Sequence, residues 1–185
     1  NAIGPGGNIA RLSLLTASLP LEIPGVTIDR QCGSGLEAIN MACRFVQAGA
    51  GDVYIAGGVE SSSLAPWKIE KPPSLYTTAP HFFTRPAFSP EHIGDPSMGV
   101  AADNVARVYH ISREAQDMFA YESHKKAIKA QEEALFEDEI VALGARKLDE
   151  GPRKKLSMKT LQRMPAIFTE NGSVTPGNAC AINDG

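Results

Sequence analysis

Apolar residues recur at helical spacing in three stretches of the chain. Leu36, Ile39, Ala42, Cys43 and Val46 share one side of a helix that opens after the turn Gly33-Ser34-Gly35 and stops at Gly49 and Gly51. A second helix is predicted over 98–109. A third starts at Ser112, an N-cap residue followed by Glu114 in the first turn, and carries Met118, Phe119, Tyr121 and Ile128 before an acidic end at 137–139. Two β-branched runs flank the first helix, at 25–29 and at 52–56, the latter stopping at Gly57-Gly58. Strand, helix, strand within residues 25–56 predicts a βαβ crossover with parallel strands, hence an α/β fold. A turn at 171–175 followed by a small-residue strand over 178–185 closes the chain.

Elsewhere the pattern is irregular. The opening, Asn1 to Asn8, holds Gly4, Pro5, Gly6 and Gly7 and reads as a loop; no GxGxxG is completed and no GK[ST] follows, so it is not read as a nucleotide loop. Between 61 and 96 no period persists, and ten of the 13 prolines lie at or before Pro96. Such an excursion predicts a loop region with a functional or subunit-contact role.

Composition narrows the class. The 185 residues carry 18 Lys and Arg against 21 Asp and Glu, a net charge of −3, which gives no electrostatic basis for a nucleic-acid partner. With 43% hydrophobic and 21% charged residues the chain has the make-up of a globular protein. No apolar run reaches the ~18 residues of a membrane span. Cys32, Cys43 and Cys180 form neither a disulfide framework nor a zinc set, which points to a reducing compartment, the cytoplasm or an organelle.

Cys32 stands out by position. It falls between a predicted strand and the first turn of a helix, where the helix dipole favours a thiolate, and Gly33 and Gly35 leave room for a substrate to approach. A buried small hydrophobe is the alternative reading, and on position alone both stay open. Cys43, on the apolar side of the same helix, is expected in the core. Ser34 is not the serine of a GxSxG elbow, because Cys32 stands where the first glycine would be. His81, His92, His110 and His124 show no metal-ligand spacing, so no metal is expected. Seven cationic side chains between Arg146 and Arg163 are read either as a solvated face or as phosphate recognition.

Four ordered blocks nevertheless resemble a known family. Arg30-Gln31-Cys32-Gly33-Ser34-Gly35-Leu36-Glu37-Ala38-Ile39, followed by 52–61, closely resembles the N-terminal half of thiolases. Met98-Gly99 with Asp103-Asn104-Val105-Ala106 is similar to the family's MGxxAENVA segment, and 163–168 to its LRPAF segment. Val174-Thr175-Pro176-Gly177-Asn178-Ala179 with Ile182-Asn183-Asp184-Gly185 is similar to VTAGNASGxNDG. The match spans essentially the whole chain.

The resemblance implies an incomplete N-terminal domain of the thiolase fold, a mixed sheet with βαβ crossovers, over residues 1–185, with an inserted loop region over 61–175. It implies an acyl-CoA C-acyltransferase of fatty acid metabolism that cleaves 3-ketoacyl-CoA or condenses two acetyl-CoA by ping-pong transfer through a Cys32 thioester. Coenzyme A thioesters are then substrates and no cofactor is expected; the partners are further copies of the chain, as a homodimer or homotetramer. Met98, Arg153, Thr160, Phe168 and Cys180 fall on coenzyme A positions. Cys180 replaces a hydrogen-bonding Ser, and Ser97 stands where several thiolases carry His. The Gly-His-Pro, Cys-x-Gly and Asn-Glu-Ala-Phe motifs of the C-terminal half do not occur, nor do the family's first strand and helix. The C-terminal domain is therefore expected to be absent from the chain, which is expected not to turn over alone. A non-catalytic acyl-CoA- or lipid-binding relative, or another condensing enzyme of this fold, is the alternative.

Overall fold

Four helices of this chain end in one backbone pattern that only one of them announces by a glycine. In the computed structural model, which describes residues 7–72, 74, 79–82 and 85–185, α2 (Ser34–Gln47) closes with Gly49 at φ +68°. Gly49 N–H donates to Val46 C=O and Ala50 N–H to Phe45 C=O, a Schellman closure. The same paired bonds close α1 (Ile9–Thr16), α3 (Met98–Val108) and α4 (Arg113–Glu132), with Ser18, His110 and Ala134 in the left-handed position. A short α5 spans Met158–Gln162.

The predicted helices around Cys43, over 98–109 and from Ser112 are present. Ser112 caps α4 as expected, its hydroxyl accepting Ala115 N–H at 3.1 Å. α1 and α5 answer to no predicted element. Most of the Gly-rich opening, and residues 73, 75–78 and 83–84 of the proline-rich stretch, lie outside the described residues. The rest of that stretch holds no helix, and its one bridge pairs Ile69 with Phe82.

Contacts divide the chain into two units: residues 1–86 with 182–185, and residues 87–181. In the first, the predicted strands differ from what is found. Neither 25–29 nor 52–56 forms a ladder among the described residues, because a strand exists only as half of a hydrogen-bonded pair and neither run is a partner for the other. The run over 178–185 is likewise no regular strand. Its last residue, however, exchanges both backbone bonds with Glu60, the pattern of one antiparallel pair. Next to that pair, Ser63 donates from N–H and hydroxyl to the Asp184 carboxylate at 2.8 and 2.6 Å.

The apolar face of α2 is also open. Leu36 is 66% and Val53 85% exposed. Cys43, expected in the core, is exposed and lines a cleft of about 520 Å³ with Val46, Val53 and Tyr54. The reason is geometric: an amphipathic helix buries its stripe only against a second layer, and the run at 52–56 covers it only in part.

The second unit does have a core, around buried Ala106, Leu161 and Val174. Polar groups are buried with them: Asp103, Asp117 and Thr175. On α4 the predicted apolar residues Met118 and Phe119 are exposed, whereas Arg113 and Asp117 face inward. No helix among the described residues is long and apolar enough to cross a membrane.

Candidate active site

Cys32 lies in a single 3-10 turn, Gln31–Gly33, that leads directly into α2. Gln31 holds φ at +51°, a left-handed backbone that L residues rarely adopt and that stores about 1 kcal/mol or more. Its neighbours hold it there. Gln31 N–H donates to Asp29 Oδ1 at 2.8 Å, and Ser34 Oγ accepts Arg30 N–H at 2.8 Å while donating to Gln31 C=O at 2.7 Å. The Arg30 guanidinium pairs with Glu37 one turn into α2. Ser34, excluded above as a nucleophile, is thus the clamp of the turn that carries the thiol.

The outcome for Cys32 is an exposed sulfur on a strained, well-tied turn, not a buried hydrophobe. The two amides that follow the thiol are already engaged: Gly33 N–H on Arg30 C=O at 3.1 Å, and Ser34 N–H on Gln31 C=O.

The other five residues belong to the second unit. Met98 is the first residue of α3 and is exposed. Beside it, Gly99 permits a close approach: a Cβ there would lie 2.3 Å from the Phe168 ring, so the ring lies flat on the helix start. Met98 and Phe168 are thereby brought to one place.

Arg153 and Cys180 lie at the turn 175–179. Arg153 donates from its guanidinium to Pro176 C=O at 3.1 Å. In that turn Asn178 Oδ1 accepts Thr175 N–H at 2.7 Å, and Thr175 Oγ1 accepts the N–H groups of Gly177 and Asn178 at 3.2 Å each. Cys180 follows it, exposed. Thr160 lies on α5, its hydroxyl 2.9 Å from that of the capping Ser157. Ser97 is the N-cap of α3 and makes no side-chain capping bond.

Two buried carboxylates that sequence reasoning passed over hold these pieces. Asp117 accepts Asn178 Nδ2 at 2.9 Å and Arg113 Nε at 2.9 Å, and Arg113 also donates to the carbonyls of Leu161 and Met164 at 2.6 and 3.0 Å. One acid thereby ties α4, the end of α5 and the 175–179 turn together. Asp103 on α3 accepts Ser173 N–H at 2.8 Å, Val174 N–H at 3.0 Å and the Thr169 hydroxyl at 2.8 Å. Burial alone would raise its pKa; the hydrogen bonds from Ser173, Thr169 and Val174 outweigh this and hold it below the usual carboxylate value. Apart from Arg113, one turn from Asp117 on α4, their partners are more than 50 residues away in sequence, so no local motif marks the pair.

This arrangement, an exposed cysteine on a turn at a helix start and a second unit built around the 163–180 blocks, is that of a thiolase-type domain. The family model for the thiolase N-terminal domain matches residues 1–185, and the chain belongs to that family. It is 53% identical over 190 residues to "Putative acetyl-CoA C-acetyltransferase VraB" of Staphylococcus epidermidis RP62A, covering all of this chain and 49% of that protein. It is 49% identical to the protein of the same name in Staphylococcus aureus MSSA476, of which it covers 50%. The crystal structure of the Bacillus anthracis acetyl-CoA acetyltransferase superposes with a TM-score of 0.83 at 32% identity, over 96% of this chain and 48% of that one. The chain therefore has a thiolase fold and spans about half the length of the relatives it matches.

Proposed function

We propose that these residues are the nucleophile-bearing part of an acetyl-CoA C-acetyltransferase, with Cys32 as the nucleophile. The observation that carries this reading is the exposed Cys32 on a turn fixed by Asp29, Ser34 and the Arg30–Glu37 pair. Attack of the Cys32 thiolate on the thioester carbonyl of acetyl-CoA breaks the C–S bond and expels the CoA thiolate, whereas attack on the 3-keto carbonyl of 3-ketoacyl-CoA breaks the C2–C3 bond and expels the acetyl-CoA carbanion. Either leaving group takes up the proton the cysteine gave up, and both routes leave an enzyme thioester. A thioester is close in energy to the one it replaces, so the transfer serves cleavage of 3-ketoacyl-CoA and condensation of acetyl-CoA alike. With Gly33 and Ser34 N–H engaged, the oxyanion contact is assigned to the amide of Cys32 itself.

Met98, Phe168, Thr160, Arg153 and Cys180 are assigned to the pantetheine and nucleotide of coenzyme A, with no cofactor beyond the substrates. The exposed stripe of α2 and the runs at 25–29 and 52–56 support a mixed sheet completed in a larger assembly, a homodimer or homotetramer, with 61–175 as an inserted loop region. In the complete protein, exchange of labelled CoA into acetyl-CoA tests the first half-reaction alone. The reading predicts exchange in the wild type and none in Cys32→Ala; equal exchange in both overturns it.

A further inference from the structure

α4 meets the rest of its unit through polar side chains on one face. Arg113 and Asp117 hold α5 and the 175–179 turn, and two turns further on comes His124. Its Nδ1 accepts the backbone N–H of Arg153 at 3.1 Å. An imidazole nitrogen that accepts a hydrogen bond carries no proton, so this bond exists only while the ring lacks a proton on Nδ1. The half-buried ring borders a cleft of about 310 Å³ lined by Tyr121, Lys125, Lys129 and Glu132 from α4 and by Arg153 and Lys154 from the facing segment. Lys125, Lys129, Arg153 and Lys154 oppose a further positive charge there, offset in part by Glu132 and by Glu122 and Glu133, which pair with Lys125 and Lys129. Burial first, and the Arg153 charge second, hold the His124 pKa below the ordinary histidine value.

We propose that His124 is a positioning residue for coenzyme A binding: its neutral ring fixes the Arg153 backbone, and with it the guanidinium on Pro176, and its protonation releases that segment. Protonation at Nδ1 sets two N–H donors face to face and adds a fifth cation to the cleft. The inference rests on the reading of Arg153 as a coenzyme A contact.

The test uses the complete protein as wild type, His124→Asn and His124→Ala, with coenzyme A as probe from pH 8 to pH 5. Asn keeps an acceptor near the Nδ1 position and does not titrate. At pH 8, His124→Asn binds coenzyme A within about twofold of wild type, and His124→Ala about fivefold more weakly, as for one lost hydrogen bond. Between pH 7 and pH 5 the wild type loses about fivefold or more relative to His124→Asn; the titration of coenzyme A's own phosphate cancels in that ratio. KM for acetyl-CoA follows the same course while kcat does not. Identical pH dependence in wild type and His124→Asn overturns the proposal. Absence of coenzyme A binding in all three proteins removes the Arg153 reading instead, and deuterium uptake of the peptide containing Arg153 then decides. Faster uptake in His124→Ala but not in His124→Asn supports the latch; equal uptake overturns it.

Discussion

Replacing Asp103 removes the acceptor on which the 169–174 segment is built. In Asp103→Ala three donors lose their partner: the N–H groups of Ser173 and Val174 and the Thr169 hydroxyl. Each is worth about 1 kcal/mol net, and more where water cannot replace the acceptor. The carboxylate is buried, so the loss is about 3 kcal/mol or more, a large part of a typical folding stability. Asp103→Asn keeps one carbonyl oxygen for the two amides and presents an NH₂ to a hydroxyl that can turn and accept, so it loses about 1 kcal/mol. Because the folded carboxyl titrates below its unfolded value, the advantage of Asp over Asn is complete at neutral pH. It shrinks once the pH falls below about 4 and through the lowered folded value. Urea unfolding, with deuterium uptake over 169–176 as a local readout, measures both effects. The expected midpoint shift for Asp103→Ala is about 1 M. A shift under about 0.2 M, or equal damage from Asn and Ala, refutes the reasoning.

Three further outcomes are expected. Gly99→Ala pushes the Phe168 ring off α3, since a Cβ cannot sit 2.3 Å from it; KM for acetyl-CoA rises severalfold with a smaller change in kcat, measured by steady-state kinetics. Arg113→Met leaves the fully buried Asp117 carboxylate without its ion-pair partner and two carbonyls without a donor, and loses about 3–5 kcal/mol by thermal or urea unfolding. Ala134→Gly relieves a left-handed residue at the exposed end of α4 and raises stability by about 0.5–1 kcal/mol, read as an increase in Tm.

What the sequence disclosed follows the range of the forces involved. α2, α3 and α4 were legible because period, Ser112 and Gly49 act within a few residues. The end of α3 falls within a residue of the expected 98–109, but the ends of α1 and α4 were not legible, since Ser18 and Ala134 occupy left-handed positions without a glycine to mark them. α5, at five residues, is too short to show a period. The runs at 25–29 and 52–56 have strand composition, but a ladder depends on partners that a local pattern does not contain. The exposed place of Cys32 at a helix start was legible from its glycines and the blocks around it. Asp103 and Asp117 were not, because what makes them matter is a set of donors on distant loops. His124, one of four unremarkable histidines in sequence, acquires meaning only beside Arg153.

The central claim is that Cys32 carries the acyl group, and the intact mass of the complete protein tests it most directly. After brief incubation with acetyl-CoA or acetoacetyl-CoA, the wild type should gain about 42 Da on the peptide containing Cys32, with no gain in Cys32→Ala. An unchanged wild-type mass, or an adduct that persists in Cys32→Ala, contradicts the account.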